Sequence, residues 1–311
     1  MVLLGDYFVL AKSGMPKSKT VIIAITMLGI IWLASSVGGE HFIQKNRWLM
    51  DAERSTAAAE MGESDGRIKD KVALITDTYF TDSHIPLILH FSHVLGPSWP
   101  IVYLTTKKVI DDHLHPQLKN GSAAWTRAVN EGRIELRIIP EDLPFKLDDR
   151  NGVNKYLSNA WIWDQLAPAK HVLLFQADAI LCANAHKTVD DFLEYDMVGA
   201  PLVPSGWIYN GGLSLRNRTM MLDIIKNHNW EKEAVPGDGE DVWFSRHIKR
   251  RGGHIPNNAV ASEFACEHGW TIEVQKHPVG YHKVHKWAPN KIKEISVWCP
   301  EIGLARPGPL K

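Results

Sequence analysis

The chain has 311 residues, with 35 basic and 35 acidic side chains and a formal net charge of zero at neutral pH. Hydrophobic residues make up 45% of the chain and charged residues 23%, which are the proportions of ordinary globular proteins. This composition excludes a disordered or collagen-like chain, and the neutral balance argues against a nucleic-acid-binding surface. Three cysteines allow at most one internal disulfide.

Twenty consecutive residues without a charge, 20–39, predict a membrane-spanning helix near the N-terminus. A helix of that length spans about 30 Å, the thickness of the hydrocarbon core of a bilayer. Lys12, Lys17 and Lys19 precede the segment, so the positive-inside rule places the N-terminus in the cytoplasm and the rest of the chain across the membrane. A cleavable signal peptide is the alternative, since Ala34-Ser35-Ser36 offers a small-residue cleavage site.

The composition divides the chain into a linker and one large domain. Residues 40–69 are rich in Ala, Glu, Ser and Gly, which predicts a flexible stem. We therefore expect a single-pass type II protein of the Golgi or ER membrane. Its parts would be a cytoplasmic tail (1–19), a signal anchor (20–39), the stem (40–69), a luminal domain (70–300) that contains glycosylation sequons at Asn120 and Asn217, and a C-terminal tail (301–311).

From residue 71 onward, strand-like and helix-like segments alternate. Short apolar runs predict strands at 72–76, 100–106, 133–140 and 171–181, and helical patterns fall at 85–94 and 153–166. Buried strands that alternate with helices are typical of an α/β fold with a mostly parallel sheet flanked by helices. In such sheets, ligands bind beyond the carboxyl ends of the strands. Neither a P-loop nor a Gly-x-Gly-x-x-Gly motif after the first strand is present, which disfavours P-loop NTPases and dinucleotide-binding domains.

The predicted strand at 171–181 leads directly into an acidic residue, Asp178. Burial of a carboxylate without a partner is costly, so Asp178 needs a hydrogen-bond donor or a cation beside it. One interpretation is a turn or helix-capping residue. The other is a ligand for Mg²⁺ or Mn²⁺, which prefer carboxylate oxygens and bridge them to phosphate.

Several stretches resemble GT-A glycosyltransferases. LLFQADAILC (173–182) is similar to their metal-binding Asp-x-Asp strand end, with Gln176 in place of the first Asp. Together with the later stretches it resembles a mostly fungal, largely uncharacterised family of GT-A-like glycosyltransferase domains over roughly residues 70–300. The later stretches are DFLEYDMVGAPL (191–202), YNGGLSLRNRTMMLDII (209–225), GEDVWFSRHI (239–248) and GYHKVH (280–285).

The resemblance implies roles for individual residues. Asp178 and His282 would bind Mn²⁺ or Mg²⁺, which stabilises the charge of a leaving diphosphate. Inverting GT-A enzymes deprotonate the acceptor hydroxyl with a Glu-Asp pair at a helix start, and Asp241, or else Glu240, matches that position; acidic residues also favour helix N-termini for structural reasons alone. The expected donor- or acceptor-binding residues are Thr76, Gln176, Asn210, Gly211, Gly212 and Lys283.

These observations predict a glycosyltransferase of the secretory pathway. It would move a sugar from a nucleotide-sugar donor to a glycan or glycoconjugate acceptor, and it would contact the membrane through one N-terminal helix. Two alternatives stay open. One is a non-catalytic glycan-binding or scaffold protein with the GT-A fold, which Gln176 favours, and the other is a metal-dependent hydrolase that uses Asp178, Asp241 and His282.

Overall fold

The computed structural model describes residues 67–204 and 206–305. The predicted cytoplasmic tail, the anchor, the stem up to residue 66 and the C-terminal residues from 306 lie outside the described residues, and the domain boundaries stay predictions. Within the described part of the chain, no helix is both long and apolar enough to cross a membrane.

The strands form two sheets. In the part of the chain that the structure describes, they are β1 (Lys71–Thr76), β2 (Ile101–Thr105), β3 (Ile134–Ile138), β4 (His171–Phe175), β5 (Ala179–Leu181), β6 (Met197–Pro201), β7 (Tyr209–Asn217), β8 (Ala265–Cys266) and β9 (Gly280–His282). Six strands make the central sheet in the order β3-β2-β1-β4-β7-β6, and the order β5-β9-β8 makes a small second sheet. In the central sheet β1 to β4 are parallel and only β7 runs antiparallel to its neighbours, β4 and β6. The predicted mostly parallel α/β sheet is therefore confirmed.

Helices cover both faces of the central sheet. They are α1 (His84–Leu95), α2 (Lys107–Val109), α3 (His115–Asn120), α4 (Ala123–Asn130), α5 (Arg150–Leu157), α6 (Ala160–Asp164), α7 (Arg218–Asn227), α8 (Trp230–Glu233), α9 (Glu240–Arg250), α10 (Asn258–Phe264), α11 (Gly269–Val274), α12 (Val284–Trp287) and α13 (Ile292–Trp298). A π-helical turn (Ile110–Leu114) joins α2 to α3, and 3₁₀ turns occur at Val189–Phe192, Pro289–Lys291 and Pro300–Leu304.

Alternate side chains of each central strand enter two hydrophobic layers. In β1, Ala73 and Ile75 pack in the layer that contains α1, whereas Val72 and Leu74 pack in the layer that contains α7 and α9. Because both faces are buried, the strands have continuous apolar sequences rather than alternating ones. This explains why they were recognisable in the sequence.

Two predicted elements are wrong in their extent. The strand predicted over 171–181 is two strands in different sheets, because the chain turns after β4 and the Ala179 N–H donates to the carbonyl of Gln176 at 2.9 Å. The helix predicted over 153–166 is interrupted between α5 and α6. There the side chain of Asn159 accepts a hydrogen bond from the Trp161 N–H and starts a new helix.

Candidate active site at the carboxyl edge of the sheet

A cavity of about 440 Å³ lies beyond the carboxyl ends of β1 and β4. Thr76 and Asp77 line it from the end of β1, Gln176 and Asp178 line it from the turn after β4, and Tyr156 lines it from α5. Its volume falls within the range of about 300–1,000 Å³ that is typical of small-molecule sites. The position agrees with the rule that open α/β sheets bind ligands at this edge.

Asp178 and His282 meet at this edge, although they are far apart in the sequence. The antiparallel pairing of β5 with β9 places Ala179 opposite His282, and this brings the imidazole beside the preceding residue, Asp178. His282 Nε2 lies 3.2 Å from Asp178 Oδ1, and the two side chains are 1% and 17% exposed. The two residues predicted to bind a metal are therefore neighbours.

Gln176 and Lys283 belong to the same cluster. The Oε1 atom of Gln176 is 3.1 Å from His282 Nε2 and accepts a hydrogen bond of 3.3 Å from Lys283 Nζ. Lys283 has a φ of +51°, and its backbone N–H donates to the carbonyl of Asp178 at 3.0 Å. The amide of Gln176 thus brings a neutral oxygen to the position that corresponds to the first Asp of the Asp-x-Asp pattern.

The attraction between Asp178 and His282 favours the ionised form of both side chains. Burial by itself raises the pKa of Asp178, but the hydrogen bond and the charges of His282 and Lys283 outweigh burial, so the pKa of Asp178 is lowered. For His282, burial favours the neutral form, but Asp178 and Glu267 outweigh it and the pKa of His282 is raised. Glu267 Oε1 lies 3.7 Å from His282 Nδ1, on the opposite side of the ring from Asp178.

The donor atoms of this cluster fit a divalent cation. Asp178 Oδ1 and Gln176 Oε1 lie 3.2 Å and 3.1 Å from His282 Nε2, so a carboxylate oxygen, an amide oxygen and an imidazole nitrogen converge. A carboxylate, an imidazole and an amide oxygen suit Mn²⁺ or Mg²⁺. Glu267 lies next to Nδ1, the ring nitrogen that faces away from Asp178. It is placed to orient the imidazole, as acidic residues often do next to metal-binding histidines.

Sequence reasoning missed Asp77 and Glu267. Asp77 directly follows the buried run of β1, as Asp178 follows β4, so the same pattern could have identified it. Asp77 Oδ2 is 3.2 Å from His84 Nε2. Burial raises the pKa of Asp77, His84 opposes this effect, and the charge of Asp178 adds to it, so a second carboxylate contributes to the field of the site. Glu267 follows the two-residue strand β8 and had no recognisable signal.

Gly211 and Gly212 join this cluster to a second one. A Cβ atom on Gly212 would lie 2.1 Å from His282 Nε2 and 2.7 Å from Gln176 Oε1, and a Cβ atom on Gly211 would lie 2.4 Å from an Arg216 nitrogen. Asn210 fixes the turn, because its Oδ1 accepts the Gly212 N–H at 2.7 Å. The two glycines therefore allow β7 to pass between the clusters without a side chain.

Glu240 and Asp241 begin α9 and have different surroundings. Glu240 is buried and forms a two-point ion pair with Arg216. Burial raises the pKa of Glu240, and the Arg216 charge opposes that change. Asp241 is only half-buried, and its carboxylate accepts hydrogen bonds from the N–H groups of Gly211 at 2.9 Å and Val242 at 2.8 Å.

The remaining predicted residue, Thr76, lies at the end of β1 in the wall of the cavity. Its hydroxyl is 2.8 Å from the Tyr156 hydroxyl, and this hydrogen bond connects the strand end to α5. The structure thus brings Asp178, His282, Gln176 and Lys283 into direct contact. It connects them through the two glycines to the start of α9.

The chain is a mixed α/β protein with a cavity at the carboxyl edge of its sheet that contains the carboxylates of Asp77 and Asp178. Residues 133–282, slightly less than half of the chain, match the profile of a family described as "Protein of unknown function (DUF5672)". No curated protein matches the chain.

Solved structures of glycosyltransferases are distantly similar. The glycosyltransferase GlyE of Streptococcus pneumoniae TIGR4 aligns in two structures, both at 13% identity, with TM-scores of 0.43 and 0.46 over 70% and 75% of this chain. The mannosyltransferase PcManGT of Pyrobaculum calidifontis, in complex with GDP-Man and Mn²⁺, aligns at 14% identity with a TM-score of 0.36 over 71% of this chain. The chain spans only 55%, 60% and 64% of these proteins, respectively. At these values the comparisons carry no argument about activity.

Proposed function

We propose that the chain is a glycosyltransferase that moves a sugar from a nucleotide-sugar donor to a glycan or glycoconjugate acceptor, with Mn²⁺ or Mg²⁺ as cofactor. The observation that carries the proposal is the 3.2 Å contact between Asp178 and His282 at the carboxyl edge of the sheet, where Asp178 lines a ligand-sized cavity. The order of the sequence motifs, which resembles GT-A enzymes, supports the same assignment.

Asp178 and His282 would hold the cation, and the oxygen of Gln176 would add a neutral donor. When bound, the cation would neutralise the charge that develops on the leaving diphosphate. Lys283 brings a positive charge to the site, since its Nζ atom contacts Gln176 Oε1. We assign Lys283 to the binding of the diphosphate.

We assign the role of general base to Asp241. An acceptor hydroxyl is a poor nucleophile near neutral pH, so inverting transfer needs a carboxylate within hydrogen-bond reach of its proton. Glu240 is buried and paired with Arg216, whereas Asp241 is half-buried and next to the Gly211–Gly212 turn. Asp241 is therefore the member of the pair that an acceptor can reach.

We further propose that the domain lies in the lumen of the Golgi or ER and is attached by the 20–39 segment. A disulfide joins Cys182 to Cys299, which supports an oxidising compartment. Of the two sequons, Asn120 is exposed, whereas the side chain of Asn217 caps α7 and donates to Asp196. We expect a glycan on Asn120 and none on Asn217, so Asn120→Gln should abolish the mass loss after endoglycosidase treatment and Asn217→Gln should not.

The decisive experiment is a donor screen with the purified full-length chain. A panel of nucleotide sugars would be incubated with Mn²⁺, with and without acceptor glycans, and both the released nucleotide and the mass of the acceptor would be measured. We expect acceptor-dependent nucleotide release and a gain of one sugar mass. Asp178→Ala should abolish the Mn²⁺-dependent nucleotide release, and Asp82→Ala, which removes an exposed carboxylate, is the matched control.

The same experiment separates the alternatives. Nucleotide release that does not depend on any acceptor would indicate a hydrolase. If no donor gives nucleotide release or a gain of sugar mass, the result would contradict the proposal and favour a non-catalytic glycan-binding protein. Unchanged Mn²⁺-dependent nucleotide release by Asp178→Ala would show that the metal assignment is wrong.

A further inference from the structure

Two histidines and one glutamate form a separate cluster where α7, α8 and α9 come together. His228 Nδ1 lies 3.1 Å from Glu233 Oε1, and His247 Nε2 lies 2.9 Å from Glu233 Oε2. The three ligand atoms are within 4.8 Å of one another. None of these residues belongs to the candidate active site.

Three short elements bring the cluster together. His228 directly follows α7, Asn229 caps α8, and Glu233 is the last residue of α8. His247 lies on α9, about two turns after Glu240. The two imidazole rings are 4.0 Å apart between centroids, and each contacts a different oxygen of the same carboxylate.

The cluster has one buried member and two partly exposed members, and Glu233 also accepts hydrogen bonds from the Asn229 N–H and Trp243 Nε1, both at 3.3 Å. His247 is 5% exposed, so its ring is shielded from solvent. His228 and Glu233 are 33% and 37% exposed, which leaves a path for an ion and room for a water ligand. Two imidazole nitrogens and one carboxylate oxygen with an open fourth position are typical ligands of Zn²⁺.

We propose that His228, Glu233 and His247 form a Zn²⁺ site. A tetrahedral ion places neighbouring ligand atoms about 3.3 Å apart when its bonds are near 2.05 Å, and both measured contacts to Glu233 are close to that separation. The ion would fasten α8 and the end of α7 to α9. Because α9 begins with Glu240 and Asp241, the site would also fix the helix that carries the candidate base. The proposal does not depend on the glycosyltransferase assignment.

The test uses the untagged full-length chain with Asp178→Asn, so that the candidate active-site metal is weakened. Zn²⁺ is added after removal of metals with a chelator, and bound metal is measured by elemental analysis after dialysis, together with the affinity by calorimetry. We expect one bound Zn²⁺ per chain. Adding His228→Gln should weaken binding by at least about 100-fold, since even residues that only support a ligand contribute about 10- to 100-fold.

His254→Gln is the matched control, because His254 is an exposed histidine 3.8 Å from the carboxylate of Glu194 and outside the cluster. It should leave Zn²⁺ affinity unchanged. If His228→Gln fails to fold, Co²⁺ is added to the Asp178→Asn chain and its visible absorption spectrum is recorded. An absorption band typical of tetrahedral Co²⁺ would support the site. A spectrum typical of octahedral, water-bound Co²⁺ would overturn it. No Zn²⁺ retained by the Asp178→Asn chain, or equal retention by folded His228→Gln, also overturns it.

Discussion

Arg216 and Glu240 form a buried two-point ion pair beneath the candidate active site. Arg216 Nη1 is 2.8 Å from Glu240 Oε2, and Nη2 is 3.1 Å from Oε1; the guanidinium is fully buried and the carboxylate is 6% exposed. Successive residues of a helix point about 100° apart, so this pairing turns the next residue, Asp241, in another direction. Glu240 is therefore the structural member of the acidic pair, and Asp241 is the accessible member.

The first prediction concerns the structural member. Glu240→Gln should lower the free energy of unfolding by about 3–5 kcal/mol, because Arg216 would remain buried without a counter-charge. Urea denaturation of the metal-free chain measures this difference. The double variant Glu240→Gln, Arg216→Met should recover part of the loss. Wild-type stability of the single variant would contradict the structural role of the pair.

The second prediction concerns the proposed base. Asp241→Asn keeps the size of the side chain but cannot take a proton, so transfer should slow by about 10²–10⁴-fold while donor binding is retained. One of the N–H groups of Gly211 and Val242 loses its acceptor, so the unfolding free energy must be measured in parallel. Near-normal turnover of a stable Asp241→Asn protein would exclude Asp241 as the base.

The third prediction tests the close approach of Gly212 to the proposed metal ligands. In Gly212→Ala, the new Cβ atom would have to displace His282 or Gln176, whose nearest atoms are 2.1 and 2.7 Å away. Because displacement of about 1 Å costs about 100-fold in well-oriented sites, Mn²⁺-dependent turnover should fall by about that factor. Gly269→Ala is the control, since a Cβ atom there has no neighbour within 4 Å. Equal activity of Gly212→Ala and Gly269→Ala would show that a side chain at position 212 does not disturb the proposed metal ligands.

The fourth prediction follows from the raised pKa of His282. A protonated imidazole cannot bind a metal, so Mn²⁺ affinity should rise about tenfold for each pH unit until the pH passes the pKa of His282, and then level off. Calorimetric titrations between pH 6 and 9 would measure this curve. Glu267 helps to raise that pKa, so Glu267→Gln should move the curve to lower pH. Affinity that does not vary with pH would exclude His282 as a ligand.

The fifth prediction concerns the disulfide between Cys182, after β5, and Cys299, after α13. The bond closes a loop across a sequence separation of 117 residues, so its loss should lower the free energy of unfolding by about 2–5 kcal/mol. Thermal melting with and without a reducing agent measures the effect. Cys266 is free and buried, so Cys266→Ala should keep the response to reduction, and the double variant Cys182→Ala, Cys299→Ala should lose it. An unchanged melting temperature of reduced wild type would contradict this role.

The sequence by itself predicted the four parallel strands β1 to β4 of the central sheet and one residue of the candidate site, Asp178. The strands of the sheet are buried on both faces, so apolar runs such as 72–76 could be recognised without knowing their neighbours. Asp178 could also be found, because an acidic residue directly after a buried strand needs a partner wherever the strand lies. Gly211 and Gly212, which precede the apolar part of β7, could also be identified from the sequence, because the conformational freedom of a glycine is a local property.

The tertiary structure alone decided which distant residues meet. Gln176 and His282 are 106 residues apart in the chain, and only the pairing of β5 with β9 brings them within hydrogen-bond distance. The different environments of Glu240 and Asp241 depend on Arg216, which comes from another element, and no local pattern encodes that contact. Glu267 and the His228–Glu233–His247 cluster had no sequence signal either, because their spacing follows from how short helices and strands pack. Local patterns indicate that a strand or helix is present, whereas the turn that divides 171–181 into two strands and the side-chain contacts between elements depend on the packing of the whole sheet.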